Sequence, residues 1–219
     1  IDISLQEALS ETNNRLVFTH DYMRIAIEDR YLPTNELKRE AHEDFLDCFN
    51  ENVDEESPAF SPERVVEEML WQLSKSDQKE DLRELLLSAS GLAYYNSELG
   101  SREVIDYWRI SRRDDDPELD ELIAEDVEKE IEQNQNDTSY LIWLIDELAE
   151  LFENAGLYRG LMLRLRRLSL EFLQNLEEAD EIDIAIGRSE LARAVQILGD
   201  LDEAELLFKR SLETLDRLV

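Results

Sequence analysis

Glycine and proline are scarce in this 219-residue chain, six and four residues respectively, which argues against a sheet-rich fold with many tight turns. The single cysteine, Cys48, has no partner for an intramolecular disulfide. Its setting in Phe45-Leu46-Asp47-Cys48-Phe49 points to a buried structural thiol and not to a nucleophile. No apolar run approaches the roughly 20 residues needed to span a bilayer, so no membrane partner is expected. Two histidines are too few for a three-histidine zinc site, and His42 and Cys48 are poorly spaced to share one helical face. The chain has no Gly-x-x-x-x-Gly-Lys-Ser/Thr loop, no Gly-x-Ser-x-Gly and no His-Glu-x-x-His. No catalytic residue, no metal site and no complete cofactor site are therefore expected within these residues, and the chain is not expected to be an enzyme.

Positive charge is the other shortage. Fifty-four acidic side chains face 23 basic ones, for a formal charge of −31. No nucleic-acid partner is expected for such a surface, because phosphates would be repelled; a basic protein partner fits. Only five residues are lysine (Lys38, Lys75, Lys79, Lys129 and Lys209). Acid excess with little lysine suits a salt-adapted cytoplasm, where repulsion is screened, and equally suits an acidic interaction surface. The imbalance lies mainly in residues 1–158, since 159–219 is close to balanced. Its densest positive cluster is Arg159, Arg164, Arg166 and Arg167, which reads as a solvated helix face paired with neighbouring acids and not as one anion pocket.

What remains is Leu, Ala, Glu, Asp and Arg at helical spacing, so an all-α chain is expected. Ala41, Phe45, Leu46 and Phe49 mark one helix face. The acidic, aperiodic stretch 51–58 reads as a linker. Ser61-Pro62-Glu63 has the cap-and-proline signature of a helix start, with Val65, Val66, Met69, Leu70 and Leu73 as its stripe. Asp77-Gln78-Lys79-Glu80 reads as a capping box, Ser101 as preceding another helix, and Asp116-Pro117 as opening the next. Trp71 and Trp108 lie within apolar patterns and are expected in the core.

From Asp137 onward a repeat is visible. Leu148-Ala149-x-x-Phe152-x-x-x-Gly156 is echoed 43 residues later by Leu191-Ala192-x-x-Val195-x-x-x-Gly199, and the second copy continues through Ala204, Phe208 and Ser211. This resembles the tetratricopeptide repeat (TPR), in which a small residue lets two helices approach, a glycine closes the turn and an Ala-x-x-x-aromatic pair packs the second helix. The first copy is degenerate, with Leu161 and Leu165 where alanine and an aromatic belong. Two repeats are fewer than such arrays usually need, so the array is expected to continue beyond Val219 or to lean on the middle helices.

Near the start, the β-like run Leu16-Val17-Phe18 leads through Thr19 to the pair His20-Asp21 and an apparent helix, followed by Arg30-Tyr31-Leu32-Pro33 and the second amphipathic helix. Asp21 alone would serve as a helix cap. The whole order of parts resembles the end of the winged-helix domain in STAND-class NTPases of the NACHT and nephrocystin-like kind. Residues 68–73 and 104–109 are similar to the helical stretch that follows it. The resemblance implies an all-α, TPR-like helical-hairpin array preceded by a winged-helix remnant with at most a short β-hairpin. It divides the chain into the end of the winged helix (1–50), a helical connector (51–136) and TPR-like repeats (137–219). It also implies that His20, with Asp21 beside it, contacts the phosphate of ADP in a full-length, cytoplasmic, ATP/ADP-binding protein. The segment would recognise a protein trigger or peptide, restrain its own NTPase domain and release it to oligomerise, as bacterial and archaeal relatives do in defence signalling. The alternative is a free-standing TPR-like adaptor for a peptide or helix of a protein partner.

Overall fold

A computed structural model describes residues 9–12, 15–18, 21–52, 62–158, 160–176 and 179–218. His20 lies outside the described residues, as do Arg159 and most of the acidic linker; the side chains of Asp21, Cys48 and Phe49 are likewise outside the description. The chain separates into two compact units, Ile1–Gln78 and Lys79–Val219. That division falls inside the stretch read as the connector.

In the first unit, β1 (Leu9–Thr12) and β2 (Arg15–Phe18) pair antiparallel, with Leu9 opposite Phe18 and Thr12 opposite Arg15. Helix α1 (Asp21–Tyr31) follows, then α2 (Asn35–Asn52) and α3 (Pro62–Lys75). The Thr34 hydroxyl accepts the Leu37 backbone N–H at 3.2 Å and so caps α2. Pro62 takes the first helical position of α3, where its missing N–H costs nothing. Helices α2 and α3 pack together, and Leu46, Leu70 and Leu73 are buried.

Two expectations fail here. Phe45 is exposed, so the apolar face of α2 is narrower than its periodicity suggests. Trp71 is 42% exposed and not a core residue. It stands edge-on to His42 at 5.1 Å between ring centroids, with the Lys75 ammonium 6.0 Å from its ring. Leu70 and Leu73 claim the buried side of α3, and a helix rotates the intervening position outward.

The second unit contains α4 (Lys79–Leu86), α5 (Ala89–Leu99), α6 (Ser101–Ser111), α7 (Leu119–Gln133), α8 (Thr138–Asn154), α9 (Leu161–Asn175), α10 (Glu181–Ile197) and α11 (Leu201–Leu218). Short acceptors start several of them: Ser88 Oγ takes the Gly91 N–H, Asp137 the Tyr140 N–H, Asp180 the Ile182 N–H and Asp200 the Glu203 N–H. Three expected starts are displaced. Helix α6 begins at Ser101 itself, with Gly100 in the cap position. Helix α4 begins at Lys79, so Gln78 holds the cap position, while Asp77 adopts φ 62° in the turn closing α3. Helix α7 begins at Leu119 after Glu118. Asp116 instead binds Arg83, with guanidinium contacts of 2.7 and 3.0 Å, and accepts the Arg113 N–H at 2.8 Å.

Consecutive helices stack as neighbours: α5 on α6 and α8, α8 on α6 and α9, α9 on α10, and α10 on α11, with α7 touching both α5 and α9. The core between them contains Leu82, Leu86, Leu92, Val104, Trp108, Ile123, Val127, Leu144, Leu148, Phe152, Met162 and Leu165, all buried.

Helices α8 and α10 end alike. At Gly156 (φ 81°) the Leu157 N–H reaches the Phe152 carbonyl at 2.8 Å and the Gly156 N–H that of Glu153 at 3.0 Å. At Gly199 (φ 92°) Asp200 and Gly199 repeat both bonds to Val195 and Gln196. This paired closure needs a left-handed residue just past the helix, where glycine carries no Cβ penalty. An added Cβ at Gly199 would meet nothing within 4 Å, so the strain of Gly199→Ala is purely conformational. The substitution is expected to cost about 1 kcal/mol. Urea denaturation should show a lower midpoint with an unchanged slope.

Candidate functional site

The repeat residues named from sequence fall on α8 to α11. Leu148, Ala149, Phe152, Leu191, Ala192, Val195, Ala204 and Ser211 are buried; Phe208 is half-buried; Gly156 and Gly199 occupy the two exposed turns. Ala204 joins Leu170, Leu191 and Val195 in one cluster, with Leu207 and Phe208 packed against it. Ser211 donates to the Ala185 carbonyl at 2.7 Å and lies 2.8 Å from the Ser189 hydroxyl, tying α11 to α10.

The structure adds a copy that the spacing concealed. Leu92-Ala93-x-x-Asn96-x-x-x-Gly100 repeats the same order of residues 56 positions ahead of Leu148. Leu92, Ala93 and Asn96 are buried, and Gly100 turns the chain at φ 84° between α5 and α6. The helix α7 is extra in this step, which is why the offset exceeds 43. Asn96 also stands where the other copies have Phe152 and Val195. Its amide donates to Glu147 of α8 at 2.7 Å, and Asn154 of α8 donates back to Ser101 at 2.9 Å.

The arginine cluster requires a correction. Arg164 and Arg167 do lie exposed, paired with Glu128 and Glu203. Arg166 does not: only 5% of its side chain is accessible. Its guanidinium joins three helices, reaching Glu190 of α10 at 2.8 Å, Glu153 of α8 at 3.2 Å and Asp146 of α8 at 3.7 Å. Among the described residues its Nε has no hydrogen-bond partner. Arg193 of α10 adds a second cation on Glu153 at 2.8 Å, and Ser169 donates to Asp146 at 2.7 Å. Three carboxylates thus share two guanidinium groups at the junction of α8, α9 and α10. A buried charge is tolerated only when paired in this way.

Desolvation pushes the Asp146, Glu147 and Glu190 carboxyls above their ordinary range, against the opposing pull of Ser169 and Arg166 at Asp146, of Asn96 at Glu147 and of Arg166 at Glu190. Burial does the same to Asp120 at the start of α7. Asp116 moves the other way, to about 2, because of its Arg83 and Arg113 hydrogen bonds. A raised carboxyl holds its proton more tightly in the folded than in the unfolded chain, so stability rises as pH falls from neutrality through the folded-state values of the first four. Asp116 stabilises above its unfolded value and loses that contribution as pH falls toward 2. Thermal unfolding followed by circular dichroism from pH 8 to pH 3 is expected to show a mildly acidic maximum and then a decline.

Beyond this junction, α10 and α11 enclose an open groove of about 370 Å³ floored by Ala185, Ile186, Phe208 and Leu215, with Ser189, Glu190, Arg193 and Gln196 along α10. A second hollow, of about 530 Å³, lies between the start of α7, the residues Gly156, Leu157, Tyr158 and Gly160, and the end of α10, and the buried Asp120 lines it. Among the described residues no group of three or more His, Cys, Asp or Glu side chains could hold a metal ion, and no helix is long and apolar enough to cross a membrane. What α8 to α11 offer chemically is a packed scaffold with an apolar groove and a charged wall. No protein-family model matches the chain, and no curated protein or solved structure matches it.

Proposed function

We propose that this chain is the recognition and coupling segment of a STAND-class NTPase: a protein trigger binds its TPR-like helical hairpins, and the connecting helices pass the effect toward His20 at the nucleotide. The observation that carries the recognition half is the threefold Leu-Ala-x-x-x-x-x-x-Gly pattern ending at Gly100, Gly156 and Gly199. Each copy forms a helical hairpin, and the hairpins stack through neighbours, the construction by which repeat proteins build extended protein-binding surfaces. The coupling half rests on the order of parts at the start, a β-hairpin running toward His20-Asp21 and α1. In this reading ADP holds the restrained state, and the trigger acts by preferring the released one, exchanging ADP for ATP and allowing oligomers to form in the cytoplasm. The chain itself contributes no catalysis.

The test uses the full-length protein. His20→Ala is expected to lower the ADP retained through purification and to raise basal oligomerisation, because a contact specific to the restrained state is lost. The 219-residue chain alone is expected to bind neither ATP nor ADP in calorimetric titration, since the phosphate loop and magnesium ligands supply most of such a site. Unchanged ADP occupancy in the variant would reduce His20-Asp21 to an ordinary strand-to-helix junction. The compactness of Lys79–Val219 as its own unit favours the second reading, a free-standing adaptor. A reading frame upstream of Ile1 that carries a P-loop would decide against it.

A further inference from the structure

Twice in the second unit, one helix is seated on the hairpin before it. Helix α8 packs on α5 and α6, and α10 packs on α9 while its side chains reach α8. The approach is close: a Cβ on Gly187 of α10 would come within 3.2 Å of Leu173 and 3.7 Å of Leu170 on α9. The hairpin of α10 and α11 presents the corresponding face, the groove floored by Ala185, Ile186, Phe208 and Leu215. Among the described residues no helix covers it. Ile186 itself is 49% accessible, and the exposed Ile182 on α10 and Leu212 on α11, 43% and 58% accessible, extend the apolar surface beyond it.

The charges around this groove point to the kind of helix that fits. Its cations are already engaged by acids of this chain: Arg193 by Glu153 and Lys209 by Glu205. At helical spacing Leu212 lies on the same side of α11 as Phe208 and Leu215, and Asp216 follows one turn beyond Leu212 at the outer edge of that side. Asp216 is exposed and takes part in no ion pair in the described structure. Glu190 also stands in the wall of the groove, but its carboxylate is already held by Arg166 at 2.8 Å. The positions corresponding to Asp146 and Glu153, which receive α9 and α10 in the preceding step, are here the neutral Ser189 and Gln196. The groove therefore does not reproduce the buried ion pairs that hold the internal helices, and it presents hydrogen-bonding groups beside an apolar floor and an acidic edge. On a chain of net charge −31, such a face attracts a cationic partner over distance and rejects an acidic one.

We propose that the α10–α11 groove binds a basic amphipathic helix of a partner protein, its apolar stripe against Ile186, Phe208 and Leu215 and its basic flank toward Asp216. This rests on the protein-recognition reading above and supplies the chemistry of the trigger. Helix-in-groove recognition works through apolar anchors at i, i+3 or i+4, and i+7, and the two internal seatings show that this scaffold accepts a helix there.

The experiment uses the 219-residue chain and two fluorescein-labelled peptides of the 17-residue length of α10, both made of leucine, alanine and lysine. One places its leucines on a single helical face; the other has the same composition with the leucines scattered around the helix. Fluorescence anisotropy is expected to show the one-faced peptide binding at least about tenfold more tightly than the scattered one, the margin expected of a few buried apolar anchors. Ile186→Glu, at an exposed position that leaves the fold intact, is expected to remove about tenfold of that affinity. Asp216→Lys is expected to weaken binding and flatten its salt dependence, while Glu171→Lys, exposed on α9, leaves both unchanged. Equal binding of the two peptides, or indifference to Ile186→Glu, overturns the proposal in favour of unspecific attraction to an acidic surface. Sedimentation of the unliganded chain as a dimer that Ile186→Glu dissociates overturns it in favour of a second copy as occupant. Neither result touches nucleotide retention in the full-length protein, so failure of the groove and failure of the NTPase reading are told apart.

Discussion

Ala204→Arg is expected to cost about 3–5 kcal/mol and to unfold the C-terminal hairpin, because it forces a long cation into a close helix contact. Ala204 is 2% exposed and faces Leu170, Leu191 and Val195, so α11 would have to lift from α10 to make room. The cation would find no carboxylate among these neighbours. The neighbouring Glu205 is exposed and pairs only with Lys209 one turn along. Glu205→Arg is expected to leave the denaturation midpoint nearly where it is. Guanidinium denaturation of the two variants, monitored by far-ultraviolet circular dichroism, makes the comparison. Coincident midpoints would show that residues 201–218 do not pack on α10 through Ala204, and the recognition reading would lose its groove.

Arg166→Leu is the second large effect. Deleting one member of a buried ionic cluster leaves the others unpaired, a loss of about 3–5 kcal/mol where burial is complete. About 3 kcal/mol is expected here, toward the lower end, since Asp146 and Glu190 remain partly accessible to water. The loss should depend on pH. With the guanidinium gone, Asp146 and Glu190 lose the pull that opposes their burial and take up protons still more readily than in the unfolded chain, so the deficit of the variant shrinks as pH falls from 7 toward 5. Urea denaturation of both proteins at those two pH values reads it directly. A deficit that does not change with pH would mean that Arg166 acts through the packing of its stem and not through its charge.

Those two side chains also mark what could and could not be read from the sequence. Ala204 was legible through its motif: Gly199 before it, Phe208 one turn on, and a Leu191-Ala192-x-x-Val195 run that echoes Leu148-Ala149-x-x-Phe152 43 residues earlier. The glycine turns at 156 and 199 were legible for the same reason, as was Pro62 at the start of α3. Arg166 was not. Its helix shows arginines at 164, 166 and 167, a pattern that looks like a solvated face, and the carboxylates that bury it are 13 to 24 residues away along the chain. Only the packing of three helices brings them together. The hairpin at Leu92 was hidden for a related reason: α7 breaks the period, and a buried polar Asn96 takes the apolar position. Trp71 shows the opposite failure, where apolar neighbours in sequence suggested burial and one rotation about the helix axis placed the ring outside. At Asp77 the residue types of a capping box are present, and the helix begins one residue later than they imply.

The stacking of each helix on its immediate neighbours has a consequence for how the second unit folds and frays. Most of its contacts join segments close in sequence, a topology that closes small loops first and folds quickly. Cooperativity in such a stack is passed from neighbour to neighbour, and two features modify it. The Arg166 junction welds α8, α9 and α10, and α7 bridges α5 to α9 past the intervening α8. Helix α11 lies outside both devices and meets the stack chiefly through α10, with Ala204 against Leu170 and Glu203 on Arg167 of α9. In the 219-residue chain the free energy of local opening is therefore graded, smallest at α11 and largest near Leu144, Leu148 and Phe152, where helices close in from several sides. The groove proposed to receive a partner lies at the soft end of that gradient, so an occupant there would slow amide exchange along α11 well beyond the residues it touches.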